Sequence, residues 1–220
     1  MIDLSKYRVI DLSYEVVPGE RKVDGRYLHG KALFDRPVEV QEFFAYGARM
    51  HFIQGQTHSG THVECPYKYV DEGPDFGDMP LTTFMGEAVA CDLTYKQGGE
   101  AVTIDDFHQF GIKAGDIVLA WCSAETLENI PYITNDAIDW LIEAKVKMLV
   151  TENLRYSPPG TRVGPGDSDY RLLRAGIPMV DAPLGLDQIK KPRVFFMALP
   201  AKLRRITAWW TRAVALEEID

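Results

Sequence analysis

Apolar residues fall along this chain in short runs separated by glycine, proline and capping residues. Runs that read as buried strands span 8–12, 87–93, 116–121, 146–151, 177–180, 194–199 and 206–216. Between several of them the spacing becomes helical. Ala137, Ile138, Leu141 and Ile142 recur at the helical period behind Thr134, a good N-cap, and Asp136 suits the positive end of the helix dipole. A second helix is expected from Asp167 or Ser168 to Gly176, with Ser168 as cap, Asp169 in the first turn and Gly176 as a left-handed stop. A third covers 103–110, with Asp105 and Asp106 in its first turn and Gly111 closing it. Strands and helices mix without a regular βαβ rhythm, and there is no GxGxxG or GxxxxGK[ST] phosphate loop. The pattern therefore predicts an α/β fold with a mixed sheet and flanking helices. With no internal repeat and no Ser/Gly-rich linker, one domain over 1–220 is expected.

Composition narrows the partners. The 220 residues include 24 Lys and Arg against 32 Asp and Glu, a formal net charge of -8, which repels phosphate backbones and anionic lipid. Neither nucleic acid nor a membrane is an expected partner, and no apolar run approaches the ~20 residues of a membrane span. Cys65, Cys91 and Cys122 are an odd number at wide spacing without CxxC, which argues against a disulfide framework or a thiolate zinc knuckle and for a reducing cytoplasm. The first ten residues carry Asp3, Lys6 and Arg8 and lack a secretory h-region.

The chemistry concentrates in His58-Ser59-Gly60-Thr61-His62-Val63-Glu64-Cys65-Pro66-Tyr67-Lys68, which holds two of the five histidines. Imidazole with carboxylate suits a borderline divalent ion such as Zn or Mn. On a straight strand His58 and Glu64 would lie ~20 Å apart at ~3.3 Å per residue. One ion cannot touch both, so the chain must curl, and Gly60 is the residue able to turn it. Taken alone, an H-x3-H-x-E pattern also arises by chance in a polar loop.

This stretch resembles the H-x-G-T-H-x-D-x-P-x-H signature of the cyclase family of metal-dependent hydrolases, which includes bacterial kynurenine formamidases and isatin hydrolases. Residues 9–13 resemble the family's first strand, 115–119 its central one, and 198–202 with 212–216 its closing segments. The resemblance implies a swivelling β/β/α fold, a homodimer or homotetramer, a small-molecule substrate and metal-dependent hydrolysis. His58 and His62 match the metal-binding histidines; Glu64 stands where the family has Asp, and Lys68 where it has a proton-transferring His. Downstream, Asp169 in Asp169-Tyr170-Arg171-Leu172-Leu173 takes the place of a second-site His, and Asp181 that of a Glu. Glu64, Asp169 and Asp181 would together gather three formal negative charges. One divalent ion plus the Lys68 ammonium balances them, so a single-metal site with Lys68 as the second cation is expected, against the alternative of an ordinary surface lysine. The metal set is then His58, His62, Glu64, Asp169 and Asp181, with Asp181, Glu64 or a neutral Lys68 moving the proton. The helix dipole should keep Asp169 ionised.

Other residues are expected to be bystanders. His29, His51 and His108 lack metal-like neighbours, His51 being the best reserve ligand. Trp209 and Trp210 should face opposite sides of a strand, one in the core and one outward or at an interface. The Pro/Gly-rich stretch 157–166 could cover the site or be an inert loop, and Phe43, Phe44, Tyr46, Tyr67 and Tyr69 could line a pocket or pack in the core. Hydrolysis of a small amide, lactam or lactone leads the functional readings. A lyase or isomerase on the same metal, and a family member that binds a ligand without turnover, are the alternatives.

Overall fold

The computed structural model describes residues 3–19, 22–23, 26–27, 38–123, 129–162, 164 and 167–219. Its strands are β1 (Tyr7–Asp11), β2 (Lys22–Val23), β3 (Arg26–Tyr27), β4 (Glu39–Ala45), β5 (Ala48–Gln54), β6 (His62–Glu64), β7 (Met85–Asp92), β8 (Ala101–Val102), β9 (Ile117–Trp121), β10 (Tyr132–Ile133), β11 (Met148–Glu152), β12 (Met179–Asp181), β13 (Arg193–Ala198), β14 (Ala208–Trp210) and β15 (Ala213–Glu218). Nine of these form one sheet in the order β1-β15-β13-β7-β9-β11-β12-β6-β14. Neighbours from β7 through β9 and β11 to β12 are parallel. Antiparallel strands flank them on both sides. The mixed α/β sheet expected from the sequence is what forms.

The sheet is strongly curled, and chain connectivity forces this. β14 and β15 stand seven places apart in the strand order, which in a flat sheet is ~33 Å at ~4.8 Å per strand. Yet only Thr211 and Arg212 separate them in sequence, a link that reaches ~10 Å at full extension. The two ends of the sheet must therefore approach each other. Thr211 N donates to Thr61 O at 3.1 Å, Leu12 N to Ala213 O at 2.8 Å and Leu184 N to Leu12 O at 3.0 Å, recording that closure. The 206–216 run, expected as one strand, is thus two.

Central strands are covered on both faces. All five residues of β9 are buried, which is why this segment reads as a continuous apolar run without alternation. Leu119, Val150, Val180 and Phe196 pack inside the curl. Val118, Leu149 and Met179 face the other way, against Ile138, Leu141, Leu172 and Leu173 of helices α2 (Asn135–Glu143) and α3 (Ser168–Arg174), with Phe107 of α1 (Ile104–His108) beside them. Full burial of Ile138 or Leu141 is worth ~1.5–3 kcal/mol each relative to exposure.

Caps set the helix starts. Thr134 Oγ1 accepts from Ala137 N at 3.3 Å, and Thr103 and Asp106 close a capping box on α1. On α3 the cap is Asp167, which accepts from Asp169 N at 3.3 Å. Ser168, the expected cap, is instead fully buried, its hydroxyl donating to Asn135 Oδ1 at 3.3 Å. Gly176, at φ +82°, ends the helix as anticipated. Strands β4 and β5, absent from the sequence expectation, form a hairpin that turns at Tyr46 and Gly47, both with positive φ. Among the described residues no helix is long and apolar enough to cross a membrane.

Candidate metal centre

Strand β6 lies between β12 and β14, which places His62 directly opposite Asp181 and Glu64 opposite Met179. Residues two apart on a strand share a face, as do directly paired residues on neighbouring strands. His62, Glu64 and Asp181 therefore look to one side. His58 joins them because Gly60, at φ +60°, turns the chain back; a Cβ at this position would stand 2.9 Å from Val16 Cγ2. The His58 and His62 rings end 5.1 Å apart, edge to face. Thr61 locks the turn, accepting from Tyr14 N at 2.9 Å and donating to Ala182 O at 2.6 Å, next to Asp181.

His58 Nδ1 is 2.7 Å from Glu64 Oε1, and His62 Nε2 is 3.7 Å from both Glu64 Oε1 and Asp181 Oδ2. The carbonyl of Gly60, which can only accept, lies 2.8 Å from His62 Nδ1. Nδ1 thus carries the proton and Nε2 faces the carboxylates, the arrangement in which a second interaction fixes an imidazole for ligation. His58 Nε2 contacts Thr207 Oγ1 at 3.1 Å.

These residues fit a divalent ion. One ligand atom from each of His58, His62 and Glu64 lies within 4.8 Å of the others. Bonds of ~2.0–2.2 Å allow two ligands of one ion to be ~4.4 Å apart at most, so the gathering needs adjustments of only a few tenths of an ångström. The set of two imidazoles and a carboxylate is that of Zn or Mn chemistry.

Lys68 belongs to this cluster and is no surface lysine. It ends the short turn Pro66–Lys68, and its ammonium donates to both Glu64 oxygens, at 2.9 and 2.7 Å. Asp169 Oδ2 is 3.8 Å away. Tyr69, whose ring lies 5.0 Å from Lys68 Nζ, packs against Tyr170 at 5.5 Å. All six polar positions singled out from the sequence, His58, His62, Glu64, Lys68, Asp169 and Asp181, thus meet at one place.

Their electrostatics differ from expectation at two of them. Burial disfavours the Lys68 ammonium, but Glu64, then Asp169 and Asp181, outweigh it and raise its pKa well beyond the usual lysine value. The surrounding carboxylates thus favour the ammonium form of Lys68 over the neutral amine a base would need. Asp169 is pushed well above the ordinary carboxylate range, by burial first and the charge of Asp181 second. The helix-dipole expectation of a readily ionised Asp169 fails because these two effects are larger. Glu64 goes the other way: burial opposes its charge, yet the hydrogen bond from His58, the nearby His62 imidazole and the Lys68 charge hold its pKa well below normal. His62 is raised despite burial, through Glu64 and Asp181.

The remaining sequence candidates lie elsewhere. His51 sits on the hairpin, 3.6 Å from Glu42. His108 packs on Trp140 at 5.0 Å, and His29 lies outside the described residues. Trp209 packs against the inner core, as expected of one of the pair; Trp210, also half-buried, donates its Nε1–H to Gln56 O at 3.2 Å, and the two rings stack 5.6 Å apart. Phe43, Phe44 and Tyr46 are on the hairpin, while Tyr67 packs against the inner core. Ser157, at the start of the Pro/Gly-rich stretch, is tied to the α3 cap by a 2.9 Å bond to Asp167 Oδ1; residues 163, 165 and 166 lie outside the described residues. Sequence reasoning missed Thr207, Thr61 and Tyr156. The Tyr156 hydroxyl donates to Val180 O at 3.2 Å and is held protonated by burial and Asp181.

A model of the family described as "Putative cyclase" matches residues 10–157. The chain belongs to the cyclase family. It is 28% identical over 221 residues to a kynurenine formamidase of Erythrobacter litoralis strain HTCC2594, spanning 98% of this chain and 97% of that protein. Its fold matches isatin hydrolase A from Labrenzia aggregata, solved with benzyl benzoate, at a TM-score of 0.78 and 21% identity, covering 98% of this chain and 95% of that one. A Bacillus stearothermophilus protein described as a predicted metal-dependent hydrolase matches at a TM-score of 0.73 and 20% identity, over 96% and 99% of the two chains. Within the cyclase family this chain is a divergent member, since Glu64 and Lys68 depart from the signature discussed above and Asp169 and Asp181 from the downstream positions.

Proposed function

We propose that the chain hydrolyses a small amide, lactam or lactone with one divalent ion, Zn or Mn, held by His58, His62 and Glu64, with Asp181 at the edge of the same group. The observation that supports this best is the convergence of two oriented imidazoles and a buried carboxylate in a chain of the cyclase family. A bound divalent ion supplies Lewis acidity and brings the pKa of a water towards neutrality.

The chain's own groups divide the remaining work. Lys68 holds both oxygens of Glu64 and supplies the positive charge that a second ion would otherwise bring. Asp181, partly exposed and beside His62 Nε2, is placed to take the proton of the attacking water. Asp169, whose environment favours the protonated carboxyl, is placed to give a proton to the departing nitrogen or oxygen. Tyr69 and Tyr170 supply an aromatic wall next to these carboxylates. The three cysteines are free and buried, which supports a reducing, cytoplasmic setting.

A second reading, ligand binding without turnover, is favoured by one observation: Lys68 already donates to both Glu64 oxygens. A panel of small amides, lactams and lactones, assayed with metal-loaded protein, separates the two. Hydrolysis that stops on chelation and returns with Zn or Mn is expected. Metal-loaded protein that turns over no member of the panel would overturn the hydrolase reading.

A further inference from the structure

The parallel strands β7, β9, β11 and β12 all end on one edge of the main sheet. In open α/β sheets ligands gather in the crevice outside that carboxyl edge. The candidate metal centre occupies one face of it, because His62, Glu64 and Asp181 share the side of Met179, which packs towards the helices. The other face holds different chemistry. Asp92, Trp121 and Glu152 stand side by side as the last residues of β7, β9 and β11. Trp121 packs inside the curl with Leu119 and Val150, and alternation along β11 turns Glu152 to the same side as Val150.

A cavity of about 370 Å³ opens there, the size of a small-molecule pocket. Trp121 and Glu152 line it. Thr94 and Ser123 join them from the segments after β7 and β9, and Leu184 and Asp187 from the loop after β12. That loop is anchored at two points: Leu186 N donates to Glu152 Oε2 at 2.7 Å, and Leu184 N to Leu12 O at 3.0 Å.

Two features of the wall specify what fits. Trp121 is only 4% exposed, and its indole N–H has no acceptor among the described residues. Buried donors without a partner are uncommon in folded proteins, and an indole nitrogen can only donate. An oxygen acceptor on a ligand would complete it. The second feature is charge. Glu152 and Asp187 bring two carboxylates to the wall, and no Lys, Arg or His lines it; Lys190, whose ammonium reaches the Asp187 carbonyl at 2.6 Å, is outside.

We propose that this cavity is a second ligand site, on the opposite face of the sheet from the candidate metal centre, and that it takes a small amine carrying an oxygen acceptor, such as an amino ether or amino alcohol. The ammonium faces Glu152 and Asp187, and the oxygen accepts from Trp121 Nε1–H. The carboxylates repel an anion, and a wholly apolar molecule would leave indole and carboxylates unmatched. Such a site needs no metal and does not depend on hydrolysis.

Diglycolamine, diethylene glycol and methoxyacetate, a cation, a neutral molecule and an anion that all carry ether oxygen, test this in proton–nitrogen correlation spectra of the full chain as purified. The chain has four tryptophans, and Trp121→Phe identifies the Trp121 indole cross-peak by its loss. Diglycolamine is expected to move that peak to saturation while the indole peaks of Trp140, Trp209 and Trp210 stay in place. Diethylene glycol should bind roughly tenfold more weakly, and methoxyacetate should leave the peak unmoved. Asp187→Asn, a change at an exposed position, should weaken diglycolamine roughly tenfold and leave diethylene glycol unaffected. Should Trp121→Phe not fold, triple-resonance assignment of the parent identifies the peak and Asp187→Asn supplies the variant. A static Trp121 peak, equal binding of amine and diol, or the parent's amine affinity in Asp187→Asn would each overturn the proposal.

Discussion

Two clusters of acidic and basic side chains in this molecule balance their charges differently. At the first, Asp75 Oδ1 accepts from Gly77 N at 2.8 Å and Arg204 Nη1 at 3.1 Å, and Oδ2 accepts from Arg205 N at 2.7 Å; Arg204 also reaches Asp78. Every Asp75 oxygen has a donor, and its pKa is lowered, first by the Arg205 backbone bond. At the second, Glu64, Asp169 and Asp181 share one ammonium, and Asp169 is raised well above the usual range. The clamp is electrostatically complete, whereas the centre holds more carboxylate than its protein cations balance. Such an excess costs stability unless a cation joins it.

That contrast can be tested from its strongest consequence down. Replacing His62 by Ala removes a proposed ligand whose orientation is set by Gly60, so the loss in metal affinity and turnover should exceed the ~10–100-fold typical of a supporting partner; isothermal titration with Zn measures it. Lys68→Met should leave the buried Glu64 carboxylate without the ammonium that holds both its oxygens and destabilise the chelated protein by about 3–5 kcal/mol, since a buried charge loses its partner. Added divalent ion should recover much of that loss in denaturant titrations. Asp75→Ala should cost roughly 2–3 kcal/mol by orphaning the Arg205 and Gly77 N–H groups, with no change in metal binding.

Asp169→Asn gives the smallest effect, with the opposite sign. An acid whose folded pKa is raised is destabilising above that pKa, and the penalty is absent below its unfolded value near 3.8. Chelated Asp169→Asn should therefore melt higher than the parent at neutral pH and converge with it near pH 4. A lower melting temperature at neutral pH would show that its contact with Lys68 outweighs burial and Asp181.

Much of this centre was legible in the sequence, for identifiable reasons. The ~20 Å span from His58 to Glu64 on a straight strand demanded a bend, and only Gly60 could take it. Residue spacing alone then placed His62 and Glu64 on one face. Asp169 and Asp181 came only through the family resemblance, because long-range pairing of β12 with β6 leaves no local signal. Thr207 was invisible for the same reason: it arrives from the far end of the chain. The central strands could be read because both faces are buried. The hairpin was missed because apolar residues on both of its exposed faces erase the period-two alternation that marks a half-buried strand. The expectation for Asp169 failed in magnitude: a dipole effect of at most ~2 kcal/mol was weighed without the burial and the Asp181 charge that only the fold reveals.

The central claim is that Lys68 takes the place of a second cation, leaving room for one divalent ion. Elemental analysis of the parent purified without added metal, beside Lys68→His, tests it most directly. One ion per chain in the parent and more than one in Lys68→His is the predicted result. Two ions per chain in the parent, or identical stoichiometry and melting temperature in both proteins, would contradict it.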